Sequence, residues 1–444
     1  MQGLFLLLIY IILFVLGLAR PFVLAIGYVW TDLFTPQAVN SEIFESIPAS
    51  MIMGAGAFVS FLLFARKDAL RPTITTFLLI AFGGWMTLTL TWAAVPEYAW
   101  IKWDWAVKTV LFSAFLPFFF RSRVQIEALV LTVVFSVSGI AVPVGIKTLL
   151  TGGGYGWDVT PIFSPGAVLG EGNTLSLCAV MIIPLINFVA RHSLILPWRR
   201  IRVVSCAGLV LGCIAAALGT FARTGLVSLI TLGILLLWQT KRRVLVGTLM
   251  LLMGSSMLPV VGPAWMDRMQ TIDSSEASAE GRIYAWNWAL QYVLEHPLGG
   301  GLDAYRINAP AMRDISGGTI TTAKATHSIY FEVLSETGFV GFAIWSMIIM
   351  VFYRNMYRLW KKTKGIEELE WLRYLLKSLV ISMTVFLVGG AFLSIAFIPL
   401  FYYVVVLGLC LCEHHRVWQM DGQSERSLYF ELASVRTPRG SAPA

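Results

Sequence analysis

The feature that most constrains this chain is its succession of long apolar runs separated by short polar joints. They fall near residues 4–34, 50–65, 73–93, 105–120, 126–148, 173–190, 203–221, 224–238, 243–262, 327–353, 373–391 and 393–412. A stretch of about 20 apolar residues pairs all its backbone groups internally as a helix and spans the hydrocarbon core of a bilayer. Arg20-Pro21 interrupts the first run, which is therefore either one broken span or two short ones, for a total of twelve or thirteen. Only 13% of the 444 residues are charged, against roughly 25% in a soluble domain, and the mean hydropathy is +0.75. These values exclude a secreted disulfide scaffold, a disordered chain and an ordinary cytosolic enzyme. The expected fold class is an all-α polytopic integral membrane protein with about twelve transmembrane helices.

The formal net charge of +8 invites a nucleic-acid reading, but the placement of the charges argues against it. Of the 33 basic residues, 23 lie in one alternating set of joints and in the tail, among them Arg66, Arg121, Arg199, Arg243, Lys361 and Arg416. By the positive-inside rule those joints and the C-terminus are cytoplasmic, so the charge is a topology signal and no nucleic-acid partner is expected. The opposite set, near 35–49, 94–104, 149–172, 219–224 and 263–326, then faces outward. The last of these is too long for a plain connection and contains Trp286, Trp288, Tyr292 and Tyr305, so a small folded cap is expected. The five cysteines all sit in apolar runs and read as small core residues. The N-terminus lacks a basic n-region, which favours a retained anchor over a signal peptide. The Ser-, Pro- and Gly-rich tail at 413–444, above all beyond about Gln419, is expected to be a disordered cytoplasmic segment.

Charge near the membrane is costly and marks candidate sites, so each outward cation is informative. Arg223 lies in GTFARTG, which joins two spans through almost no loop. Taken alone it is a snorkelling interfacial arginine. Arg282 opens GRIYAWNWALQYVLEHPLGGG, where helical spacing puts Arg282, Trp286, Ala289 and Val293 on one face. The glycines that follow read as a turn. His327 begins THSIYFEVLSETGFVG, and helical spacing aligns it with Phe331, Leu334, Gly338 and Gly341, a face suited to close helix packing. Glu332 and Glu336 fall nearly opposite. His296, beside Pro297, suits hydrogen bonding to the last carbonyls of its helix. No His-x-x-x-His, outward carboxylate cluster or Walker motif is present, so no metal, nucleotide or other cofactor is expected.

The order of these signals is specific: an arginine between two spans, Gly-Arg heading a Trp-rich helix, Pro-x-Gly-x-Gly, then His-Ser-x-Tyr-x-x-x-Leu-x-Glu-x-Gly-x-x-Gly. It resembles the O-antigen ligase-related family of bacterial inner-membrane glycan transferases, whose core is similar to residues 200–353. RPFVLAIGYVWTDLFTP, WMTLTLTWAAVPEYAWIKWDWAVK, LLTGGGYG and EGNTLSLCAVMIIPL in the N-terminal half resemble the exosortase A-associated O-glycosylation ligase branch. The resemblance implies N-terminal transmembrane helices over 1–200, a ligase-like core over 201–353 with a periplasmic loop at 263–326, and C-terminal spans over 354–412. It further implies a GT-C-like glycosyltransferase fold in the inner membrane and a metal-independent periplasmic site. The donor would be a glycan on undecaprenyl diphosphate and the acceptor a hydroxyl of a lipid-borne sugar or a protein. By position, Arg223 and Arg282 match the family's diphosphate-binding arginines and His327 its essential histidine. Arg306, Lys147 and Glu171 are secondary candidates on outer segments. The family's Ser-Arg-Gly corner is Ala222-Arg223-Thr224 here, which alters its hydrogen bonding. A sister activity, polymerisation with a lipid-linked repeat as acceptor, shares the donor chemistry. A flippase without covalent chemistry would instead show internal repeats or mid-membrane charges, and neither is evident.

Overall fold

A computed structural model describes residues 2–39, 41–44, 47–64, 71–153, 169–240, 276–309 and 323–420, with isolated positions between 243 and 255. It is all-helical, with no β-strand among the described residues. The principal helices are α1 Gln2–Leu18, α2 Pro21–Phe34, α3 Ala49–Phe64, α4 Ile74–Thr89, α5 Pro96–Phe115, α6 Arg123–Thr151, α7 Gly172–His192, α8 Arg199–Gly219, α9 Arg223–Gln239, α10 Glu276–Glu295, α11 Ile329–Thr363, α12 Glu370–Gly390 and α13 Pro399–Met420. Among the described residues, seven helical segments are long and apolar enough to cross a membrane, the α4, α6, α7, α8, α11, α12 and α13 regions. Three further apolar helices, at α1, α3 and α9, are shorter. The chain is thus a polytopic membrane protein.

The first apolar run is two helices. The α1–α2 joint at Arg20 packs so tightly that a Cβ on Gly17 would strike the Leu24 side chain. Residues 94–104, expected as a loop, are mostly helix, because Pro96 starts α5 with a ring already set for the first helical turn. Helix α13 continues past 412 to Met420, and the tail after it lies outside the described residues, as does most of the expected span at 243–262. Much of the loop at 149–172 and of the expected cap at 263–326 is likewise outside them.

Helix α7 is apolar on nearly every face and occupies the centre, packed between α6, α8, α9 and α12. Helices α1, α3 and α8 instead carry exposed Leu8, Ile12, Leu63, Ile201 and Val204. Such surfaces suit lipid and not water. The cysteines are free, and Cys178, Cys206, Cys213 and Cys410 are buried.

One irregularity organises the end of the bundle near His327. Helix α11 is broken at Gly338, whose backbone (φ 66°, ψ −169°) is accessible only to glycine. The groups freed by the break are taken up by the turn after α10. Gly300 N donates to Ser335 O (2.9 Å), Gly301 N to Glu336 O (2.9 Å), and Phe339 N to Pro297 O (2.9 Å). Trp85 of α4 donates its indole N–H to Thr337 O at 2.7 Å, and Trp92 to Gly299 O at 3.1 Å. Broken backbone at membrane depth is tolerable only when protein satisfies it in this way. The sequence expectation of a continuous glycine-bearing packing face through Gly338 is therefore corrected, because that glycine is the break itself.

Candidate active site

The Arg223 corner follows from small residues. Helix α8 ends at Gly219 against Thr148 of α6, where a Cβ would overlap the threonine hydroxyl, and Phe221 turns the chain with φ 50°. Ala222 then stands where a capping side chain would be and offers none. The first amides of α9 consequently lack a side-chain acceptor, and a helix N-terminus in that state favours an anion. Arg223 is the first residue of α9 and is exposed.

Arg282 lies near the start of α10. Four residues on, Trp286 stacks on Phe331 of α11 (centroids 5.3 Å apart) and donates its indole N–H to Thr326 O at 2.7 Å. Ala289 and Val293 on the same face are fully buried, as helical spacing predicts. With its other end held by the Gly299–Gly301 turn, α10 is fixed alongside the first half of α11. This fixation carries Arg282 within electrostatic reach of both Arg223 and His327. Partial burial, then the Arg223 charge, lower the Arg282 pKa. Neither arginine has an ion pair or hydrogen bond among the described residues.

His327 is not the first residue of a helix, as helical spacing suggested. It precedes the extended cap Ser328 with φ 44°, a left-handed conformation that histidine adopts more readily than bulkier residues. The neighbouring Thr326 holds it there, through its carbonyl bond to Trp286 and a hydroxyl contact of 3.3 Å with Ser394. Burial, then Arg282, push the His327 pKa down, with Lys324 adding to the fall and Glu171 opposing it. The imidazole is thus neutral near pH 7, the form that can accept a proton.

Glu171 stands at the N-cap position of α7, where its carboxylate accepts from the side chains Asn173 Nδ2 (3.1 Å) and Thr174 Oγ1 (3.3 Å) and not from the helix amides, and its charge reaches His327. Lys147 is half-buried on α6 beside Thr148, at the foot of the Arg223 corner. Arg306 belongs to a different cluster. Lys102 Nζ of α5 lies 2.8 Å from Glu332 Oε1, 2.7 Å from Glu336 Oε1 and 3.4 Å from Asp303 Oδ1, and Asp303 Oδ2 accepts from Arg306 Nε at 3.2 Å. Glu332 Oε2 also accepts from Ala396 N (2.8 Å). Sequence reasoning noted Glu332 and Glu336 as an i,i+4 pair facing away from His327, and Lys102, Asp303 and Arg306 singly, and missed their convergence. The available signal was an i,i+4 acid pair on an apolar helix, which burial obliges to find a cation. His296 bonds back to Tyr292 O through Nδ1 at 3.2 Å, as its position beside Pro297 suggested.

Residues 207–346, which contain Arg223, Arg282 and His327, match a family model described as O-antigen ligase. Residues 1–194 match a family of unknown function, DUF5935. No curated protein matches the chain.

Proposed function

Because the chain belongs through residues 207–346 to the O-antigen ligase-related family, we propose that it moves a glycan from undecaprenyl diphosphate to an acceptor hydroxyl, without a metal, at the periplasmic face of a bacterial inner membrane. Glycan transfer in lipid-linked polysaccharide biosynthesis is the activity the ligase domain supports. The acceptor in this reading is a lipid-borne sugar or a protein, and the scaffold is GT-C-like with a cytoplasmic C-terminus. The observation that carries the proposal is a pair of arginines without carboxylate partners among the described residues, Arg223 at an uncapped helix start and Arg282 within electrostatic reach of both it and His327.

The chemistry follows from those groups. The bond between the anomeric carbon and the diphosphate oxygen breaks, and the oxygen keeps the electron pair. Arg223, Arg282 and the first amides of α9 stabilise that developing charge through charge-assisted hydrogen bonds. The acceptor oxygen forms the new bond to the anomeric carbon, and its proton passes to the unprotonated ring nitrogen of His327. Two arginine forks meet the charge that a divalent cation neutralises in other diphosphate-leaving reactions.

The test is transfer by purified protein in nanodiscs, given an undecaprenyl-diphosphate glycan and a hydroxyl acceptor in EDTA. Release of undecaprenyl diphosphate with a new glycoconjugate is expected. A requirement for added Mg²⁺ would end the metal-free claim, and passage of the uncleaved lipid-linked glycan across the bilayer would make the protein a transporter. The pH profile is a further expectation. Since burial and Arg282 lower the His327 pKa, the acid limb of kcat/KM should fall below the ordinary histidine value of about 6.5. Between the folded and unfolded pKa values the unfolded chain binds more protons, so this residue's contribution makes stability rise with pH through that window and level off above it. An acid limb above the ordinary value would remove His327 as the base.

A further inference from the structure

We propose that Arg306, laid on Tyr98 and oriented by Asp303, is a binding subsite for a neutral, hydroxyl-rich sugar ring of the transferred glycan. The assignment deepens the transfer reading and takes its ligand class from it, while the site itself rests on geometry. Arg306 closes a short 3-10 turn, Ala304–Ile307, that begins at Asp303 in a left-handed conformation (φ 58°). Its guanidinium carbon stands 3.7 Å from the Tyr98 ring centroid, so one face of the fork is covered. Its Nε is engaged by Asp303, which is itself held by the buried Lys102 with its two glutamate partners. A surface ion pair alone fixes little, but here an aromatic face, a carboxylate and a buried ammonium behind it all constrain one guanidinium. Its two terminal amino groups are the edge left over, and they have no partner among the described residues. A planar, preset pair of donors suits two oxygens on one ligand.

Local charge selects the ligand. Lys102 and Arg306 face Asp303, Glu332 and Glu336, so no excess of positive charge draws an anion, and hydroxyl oxygens fit better than a carboxylate or phosphate. Tyr98 is itself exposed, and Tyr305 lies on the same guanidinium with its ring centroid 5.5 Å away. Flat apolar faces with polar rims can take the CH-rich face of a pyranose while donors bind its hydroxyls. The turn is also tied to the reaction site. Asn308, fully buried, donates through Nδ2 to Lys324 O (2.7 Å) and accepts from Lys324 N (2.9 Å), and His327 lies three residues beyond. Those bonds tie the turn carrying Arg306 to the segment carrying His327.

The experiment measures free-sugar binding to full-length protein in phosphocholine-lipid nanodiscs, which avoid sugar-headed detergents. The probes are neutral gluco-, galacto- and manno-configured tetrasaccharides and their uronate counterparts. At least one neutral probe should bind, and Arg306→Ala and Tyr98→Ala should each weaken it by about tenfold, the effect of losing one good polar or stacking contact. Lys108→Ala should leave binding unaltered, since that exposed cation on the same helix pairs with Asp104 (2.6 Å) and is not part of the Arg306 cluster. Absence of neutral-sugar binding, preference for the uronates, or wild-type binding by folded Arg306→Ala and Tyr98→Ala would each overturn the assignment. Because free sugar carries no diphosphate, this result is independent of transfer. Loss of transfer with intact sugar binding would count against the reaction and leave the subsite standing.

Discussion

Replacing His327 by alanine should lower transfer by about 10²- to 10⁴-fold, the usual contribution of a positioned general base. The left-handed backbone at His327 (φ 44°) makes alanine an imperfect probe, because lost activity and relaxed backbone would be confounded. Asparagine tolerates that conformation and has no basic nitrogen, so His327→Asn should fold like wild type and be equally slow. A folded His327→Asn protein that transfers at the wild-type rate would remove the histidine from the mechanism. Arg223→Ala and Arg282→Ala should each cost roughly 10²- to 10³-fold, by comparison with the loss of one preset donor to a developing anion. The two share a single anion, so the double variant should lose less than the product of the two single effects. Lysine at either position should restore only part of the rate, since it keeps the charge without the fork. Additive losses would mean that the arginines contact different groups, although their charges already interact in the protein.

Gly338→Ala should destabilise the fold by roughly 3 kcal/mol or more, through a backbone state costing up to about that amount combined with steric overlap. A Cβ there would overlap Pro297 O and Leu298 C and stand 2.5 Å from Gly299 N, all rigid backbone. Relief requires the Pro297–Gly301 turn to lift away. That movement would break the hydrogen bonds of Gly300, Gly301 and Phe339 and release the far end of α10. Arg282 would then lose its fixed relation to His327, so activity should fall together with the melting temperature. Two controls separate the causes. Gly365 also has a positive φ (84°) but open space around it, so Gly365→Ala reports backbone strain alone. Gly208 is helical with nothing near its would-be Cβ, so Gly208→Ala should be neutral or slightly stabilising. Thermal unfolding in detergent decides the matter, and a Gly338→Ala midpoint no lower than that of Gly365→Ala would show that the break does not hold α10.

The three principal candidate residues stand out in the sequence because each violates the local pattern. Arg223 sits where two apolar spans meet with almost no loop, Arg282 on an apolar stripe, and His327 at the head of a span. Motif order then grouped them. Arg306 and Lys102 were legible only as separate charges, and Glu332 and Glu336 only as a pair without a partner. Helical geometry places Glu332 and Glu336 together, but nothing in the sequence says that residue 102, some 230 positions earlier, supplies their cation. The same holds for Trp85 and Trp92, whose indoles donate to the Gly338 break and the glycine turn beside it from a segment that reads by itself as an aromatic-rich span end.

What the sequence determined is whatever the bilayer dictates residue by residue: helices and not strands, the approximate location of most spans, and where the charges stand out. These follow from the cost of exposing backbone polar groups and charge to hydrocarbon, a local property of any stretch of about 20 residues. Tertiary structure alone decided that α11 breaks at Gly338, that α10 lies clamped along its first half, and that His327 is held in a left-handed turn. Each depends on atoms distant in sequence supplying a particular hydrogen bond or filling a particular space. A one-dimensional pattern carries the demand for such a partner without naming it, and only the packed chain shows which residue answers.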